Sequence, residues 1–452
     1  MAAAGPVMEK RAMSKRGFGK KDFVNALVVG FALFATFFGA GNLIFPPVLG
    51  LNAGKSWLAS FFPYLISDAG IAIVGVLAVV KIGGSMEDQL SQLGKWPSRI
   101  LCVILMMLIG PLVTIPRTGA TTYEMSAQPL FPGLSSWVFS AFFFAVVALL
   151  TIKPAAVVDI IGKYLTPVLL LALAVLCVKG IVAPLGTPVE SRIPGEEVRN
   201  GLIYGYQTLD ALVAVPLAMI IIKSVKDKGY REKREIAGMV SVSSAVAFVG
   251  LLAVYAGLSY LGATVSGEAL TELSGTELVV EITGRLLQRA GIVILGVIVL
   301  MACLTTAIGT TSAVTEYLCT LMKNKLSYGK MVVAMCVLSY LLCNLGTSQI
   351  IALAEPMLTL IYPVFLTQIF LVFFSKRIKT PWVFRCSAIG AALFMAADLL
   401  YSKFGILDLP FLKAVPLESL GLGWVLPAVV GGIIGAFIRP KAEPAEKTDA
   451  AA

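Results

Sequence analysis

Residues 29–50 read VGFALFATFFGAGNLIFPPVLG, a charge-free run with Gly39, Gly41, Asn42, Pro46 and Pro47 packed into its middle and far half. About 17 to 25 apolar residues cross a hydrocarbon layer of roughly 30 Å as a helix. Glycine and proline at this density break such a helix. Amides and carbonyls released by a break are tolerated at membrane depth only where they line protein or a polar cavity. The stretch therefore predicts a helix interrupted at a binding segment.

Charge-poor runs recur on either side of it. Of 452 residues, 58% are hydrophobic and 14% charged, which is more apolar surface than one soluble core hides. Twelve runs lie near 24–50, 57–80, 100–125, 137–152, 155–182, 201–222, 236–262, 290–322, 329–345, 348–374, 382–400 and 421–438. The fourth and ninth are short for a span. None has the alternating polar period of a barrel strand. The expected fold class is an all-α membrane protein of about twelve transmembrane helices.

The basic start MAAAGPVMEKRAMSKRGFGKKDF leads into an apolar run about twice the length of a signal-peptide core, with no A-x-A site, and is read as an uncleaved first span. Seven cysteines lie in or beside apolar spans without C-x-x-C spacing, as small packing residues do. There is no histidine, so the commonest metal ligand and proton shuttle is missing. With no paired catalytic carboxylates either, no enzyme is expected.

The net charge of +10 reflects insertion bias rather than nucleic-acid binding. With a cytoplasmic amino terminus, 26 of 36 Lys and Arg fall on the tails and on loops after even-numbered helices. Nine fall on the other face, and Lys163 within a span. This predicts a multi-pass bacterial inner-membrane protein with both termini cytoplasmic: a basic tail over residues 1–22 and a disordered tail over 441–452. In the loop 263–289, Glu268, Glu272, Glu277, Glu281, Arg285 and Arg289 predict a short surface helix that covers an outer vestibule.

Residues 200–221, NGLIYGYQTLDALVAVPLAMII, repeat the interruption five helices later, with Gly205, a polar run Tyr206, Gln207, Thr208 and Asp210, then Pro216. Paired Gly/Pro-interrupted spans in two halves point to an inverted-repeat transporter with its site near the midplane. Helices 1–5 (residues 23–182) and 6–10 (residues 200–375) are then the repeats, and helices 11 and 12 (residues 380–440) are appended. There is no P-loop, so no ATPase subunit is expected and an ion gradient is the energy source. Asp210 costs about 2.5 to 3.5 kcal/mol at a helix centre and must face a cavity or a partner. Asp68, Glu124, Asp159, Glu316, Glu355 and Asp398 are expected at helix ends or in internal pairs.

The motif FFGAGNLIFPP at residues 37–47 resembles the branched-chain amino acid:cation symporter family almost letter for letter, and the likeness runs from about residue 20 to 440. It implies the leucine-transporter-type fold of the amino acid-polyamine-organocation superfamily: a five-plus-five inverted repeat with helices 1 and 6 broken. It also implies import of leucine, isoleucine and valine with sodium. Substrate is expected on Gly39, Ala40, Gly41 and Asn42 of helix 1, with Asn42 either binding substrate or stabilising the break, and on Tyr206, Gln207 and Thr208 of helix 6.

Ala302 to Thr306 in helix 8 resemble the A-x-L-T-S element of that wider fold. By this likeness the Ala302 carbonyl, the Thr305 and Thr306 hydroxyls and the carbonyls of Ala35 and Phe38 hold the ion. Five neutral oxygens suit a hard monovalent cation. Apart from the likeness, such threonines read as helix packing. In helix 7, Ser241, Ser243 and Ser244 stand where relatives with a second cation site carry asparagine. A proton-coupled carrier of another small neutral amino acid is the alternative reading.

Overall fold

The computed structural model describes residues 19–82, 86–152, 166–323, 325–403, 405–406 and 409–438. The basic tail to residue 18, Lys153, Asp159, Lys163 and the tail after 438 lie outside the described residues. Helices stand at every expected position: α1 Lys20–Phe37, α2 Ala40–Ala53, α3 Trp57–Leu65, α4 Ile71–Ile82, α5 Lys95–Met107, α6 Thr114–Thr122, α7 Ser136–Thr151, α8 Thr166–Val182, α9 Glu197–Thr208, α10 Asp210–Asp227, α11 Lys233–Thr264, α12 Gly275–Leu321, α13 Tyr328–Cys343, α14 Thr347–Phe373, α15 Trp382–Asp398 and α16 Val425–Phe437. No strand occurs among the described residues. Six helical stretches are long and apolar enough to cross a membrane, and the pair α9–α10, bent by 42°, makes a seventh. Helices α7, α8, α13 and α16 are apolar but shorter.

Both predicted breaks are present, and both are narrower than the glycine and proline pattern suggests. Helix 1 leaves α1 at Phe38, is extended at Gly39, and resumes at once as α2, so that Gly41, Asn42, Pro46 and Pro47 are all helical. Helix 6 runs straight through Gly205 and turns at Leu209 (φ 75°, ψ 3°), a buried leucine in left-handed conformation. A side chain rarely adopts this conformation and stores strain in it.

Close packing explains where the glycines went instead. A Cβ on Gly50 would lie 1.8 Å from the Ser259 carbonyl, and one on Gly262 would lie 1.9 Å from the Pro47 carbonyl, so α2 and α11 meet backbone to backbone. Gly201 and Gly205 bring α9 equally close to Ser60 and Ser67 on the helix that α3 begins. Small residues at such interfaces let membrane helices approach, because lipid supplies no hydrophobic drive between them. The pairing is reciprocal: broken helix 1 packs on helix 7, broken helix 6 on helix 2, and helix 3 on helix 8. Adding or subtracting five exchanges the partners.

The segment 263–289 differs in one respect from a free surface helix. Ser274 caps α12, accepting from the Glu277 amide at 3.3 Å, and α12 runs into the membrane helix with a single interruption at Gln288 (φ 53°). Its Glu281 and Arg285 pair at 2.7 Å one turn apart, and Arg285 also binds Glu268.

Candidate functional site

The short stretch 38–39 exposes the first amides of α2 and the last carbonyls of α1, and Asn42 fixes that turn. Its Oδ1 accepts from the Gly39 amide at 3.1 Å, a local cap. With Oδ1 so engaged, Nδ2 points away and donates to Asp210 Oδ2 at 2.8 Å and Asp68 Oδ2 at 3.3 Å, and it reaches the Tyr255 hydroxyl. Asp68 is fully buried and Asp210 is 7% exposed. Asp210 therefore has a partner. Thr208 Oγ1 donates to Asp68 Oδ1 at 2.8 Å, closing a network across helices 1, 2, 6 and 7.

Arg117 on α6, 3% exposed, adds the one buried cation of this centre. Its Nη1 donates to the Gln207 carbonyl at 2.7 Å and its Nη2 to the Thr208 carbonyl at 2.8 Å. These are the last carbonyls of α9, which the turn at Leu209 deprives of a following helical turn. A Cβ on Gly41 would touch Phe45 at 3.1 Å, Arg117 Nη2 at 3.2 Å and Thr208 Cα at 3.3 Å. Gly41 is therefore the point where α2, α6 and α9 meet.

Three of the expected cation ligands, Ala35, Ala302 and Thr305, come together where α1 meets α12. Thr305 Oγ1 donates to the Ala302 carbonyl at 2.9 Å and lies 3.4 Å from the Ala35 carbonyl. Thr306 Oγ1 is buried without a hydrogen-bond partner, and a Cβ on Gly39 would sit 3.1 Å from it. Phe38 is buried and stacked between Phe34 and Tyr255. An orphaned Thr306 hydroxyl against Gly39, with Thr305 on the Ala35 and Ala302 carbonyls in the preceding position, suits a small cation. On helix 7, Ser243 holds α1 through the Ala26 carbonyl at 3.0 Å.

Tyr206 and Gln207 turn their side chains to the other side of α9. There they line a cavity of about 460 Å³ with Arg199, Glu355, Tyr362 and Trp424. The Tyr206 and Tyr362 rings lie 4.6 Å apart between this cavity and the buried network. Glu355 forms an ion pair with Lys403 at 2.6 Å at its edge, and burial pushes the Glu418 carboxyl above the usual carboxylate range, partly offset by Arg199. Glu124 accepts from the Thr347 amide at 2.8 Å and so caps α14.

Three residues of the centre escape the motif reading. Arg117 counts with the nine outward-facing cations in the charge tally but is buried, and a lone charge inside the run 100–125 is the signal that finds it. Asp68 sits on a π-helical turn, Ile66–Gly70, of the kind that marks functional sites but is invisible in sequence. Tyr255 reaches the centre only through the packing of α11 on α2.

The sequence profile described as branched-chain amino acid transport protein matches residues 22–442. The chain belongs to this family. Family relatives include the branched-chain amino acid permease BraB of Bacillus subtilis (strain 168), 35% identical over 422 residues, 91% of this chain and 94% of that one. The protein is accordingly a multi-pass membrane transporter and no enzyme. The fold is that of leucine-transporter-type carriers. Mhp1, a nucleobase-cation-symport-1 family transporter in a closed conformation with bromovinylhydantoin bound, superposes with a TM-score of 0.62 at 12% identity, covering 91% of this chain and 92% of that one. A Na+-coupled sialic acid symporter in a substrate-bound outward-open state gives 0.56 at 14% identity, over 92% and 90%.

Proposed function

We propose that this family member imports leucine, isoleucine and valine by symport with sodium, through alternating access around the two breaks. The observation that carries the reading is the meeting of two groups at one break. Thr306 packs on Gly39 and Thr305 reaches the Ala35 and Ala302 carbonyls before the break, and the amides from Ala40 onward open α2 after it. Half-helix amino ends favour anions such as a substrate carboxylate, and unwound carbonyls favour cations. Sodium bound between Thr306 and the break is cargo as well as the fastener of α1 to α12. The five-plus-five repeat is supported by the reciprocal packing of helices 1 on 7 and 6 on 2, and the bacterial inner membrane with both termini cytoplasmic by the distribution of cations.

The decisive assay is uptake of radiolabelled leucine into proteoliposomes with and without an inward sodium gradient. Sodium-dependent accumulation that isoleucine and valine compete for is the expected result; equal uptake without sodium refutes the coupling. The Asp68–Asp210 pair on Asn42 favours one second reading, a proton-coupled carrier of another small neutral amino acid. Accumulation driven by a pH gradient in sodium-free buffer selects it.

A further inference from the structure

Arg117 is an expensive residue in its place. Its guanidinium is buried inside a membrane helix, no carboxylate lies within 4 Å of it among the described residues, and its Nε has no hydrogen-bond partner. A buried cation is strongly unfavourable unless paired. Two carbonyls at the Gln207 and Thr208 end of α9 take its direct hydrogen bonds, and the Asp210 carboxylate acts on it only from beyond ion-pair distance. That end is also where a free ammonium group is best received, since it carries the negative pole of the half-helix. On its other side, Nη2 faces the first turn of α2 over Gly41, where the amides favour a carboxylate.

We propose that Arg117 is the substrate-binding residue that reads the zwitterion of the transported amino acid; the inference rests on the amino-acid reading above. The guanidinium occupies the two carbonyls that the substrate ammonium takes. On loading, the ammonium displaces it, and the fork turns onto the substrate carboxylate beside the α2 amides. An α-amino acid carries both charges on one carbon, so the exchange leaves neither the carbonyls nor the guanidinium without a partner. A ligand with only the ammonium expels Arg117 and gives it nothing to bind. Planar, two-pronged recognition of a carboxylate is what guanidinium does and ammonium does not, so a lysine at this position does not substitute.

The test is competition against radiolabelled leucine on purified full-length protein in sodium buffer, by leucine and by leucinol, which keeps the amine and side chain but has an alcohol for the carboxylate. On wild-type protein leucinol should bind about 10- to 150-fold more weakly, the range of a hydrogen bond to a charged group. In Arg117→Gln, leucine should weaken at least tenfold while leucinol, which no longer expels a charge, holds or gains affinity, so the preference collapses. Arg117→Lys should restore only part of it. Equal weakening of both ligands, or a preserved preference, makes Arg117 a structural staple of the break and overturns the proposal. So does wild-type protein that binds leucinol as well as leucine, a measurement that needs no variant to fold. Wild-type protein that binds no branched-chain amino acid sinks the amino-acid reading itself, whereas leucine binding indifferent to Arg117 sinks only this inference.

Discussion

At the residue scale, substitutions at two positions separate ion from substrate. Thr305 Oγ1 lies among carbonyls with no carboxylate in its motif, so Thr305→Ala should raise the sodium concentration for half-maximal uptake about tenfold, or ~1.4 kcal/mol. Thr305→Ser keeps the oxygen and should largely rescue. Wild-type sodium activation in the alanine variant defeats the assignment. Linkage then requires that sodium and leucine raise each other's affinity by one factor. Gly41 leaves 3.1 to 3.3 Å to Phe45, Arg117 and Thr208, so the side chain of Gly41→Leu fills the space between α2 and the Arg117 fork. Leucine binding to the purified variant should vanish while membrane insertion, read by yield and monodispersity in detergent, persists. Unchanged binding removes Gly41 from the site.

At the element scale, the contact of α2 with α11 is made of backbone rather than side chains. Gly262→Ala drives its methyl into the Pro47 carbonyl and should cost at least the ~1–3 kcal/mol typical of overpacking. Gly238 stands on the same helix with nothing within 4 Å of its Cβ position. There alanine should leave stability unchanged or raise it, since glycine in a helix interior is less favourable than alanine by about 1 kcal/mol. Thermal unfolding in detergent compares the two; equal melting temperatures show that α11 does not need the close approach. The break in helix 6 belongs to this scale too. Gly205 serves packing against Ser67, while Leu209, which nothing in its side chain marks, takes the left-handed turn.

At the scale of the whole molecule, the charge distribution predicts that the loop after helix 6 faces the cytoplasm. Lys228 is exposed in that loop, beside Gly229, whose φ of +99° makes a side chain there strained. In a background without the seven native cysteines, Lys228→Cys should stay unlabelled by an impermeant thiol reagent in intact cells and react once membranes are opened. Labelling from outside inverts the topology. The sequence by itself determined the membrane class, the rhythm of apolar runs and the two broken helices. Each is written in composition or local pattern, and helix formation in lipid is a local necessity because every backbone group must be satisfied within its own segment. Only the tertiary structure decided that the second break falls at Leu209 and that Pro46 and Pro47 stay helical. It likewise joined Asp68, Asp210 and Tyr255 on one asparagine amide and laid Arg117 across the end of α9. Those contacts join residues 26 to 213 positions apart in the chain, and side chains that distant meet only when helices pack, an outcome no local pattern encodes.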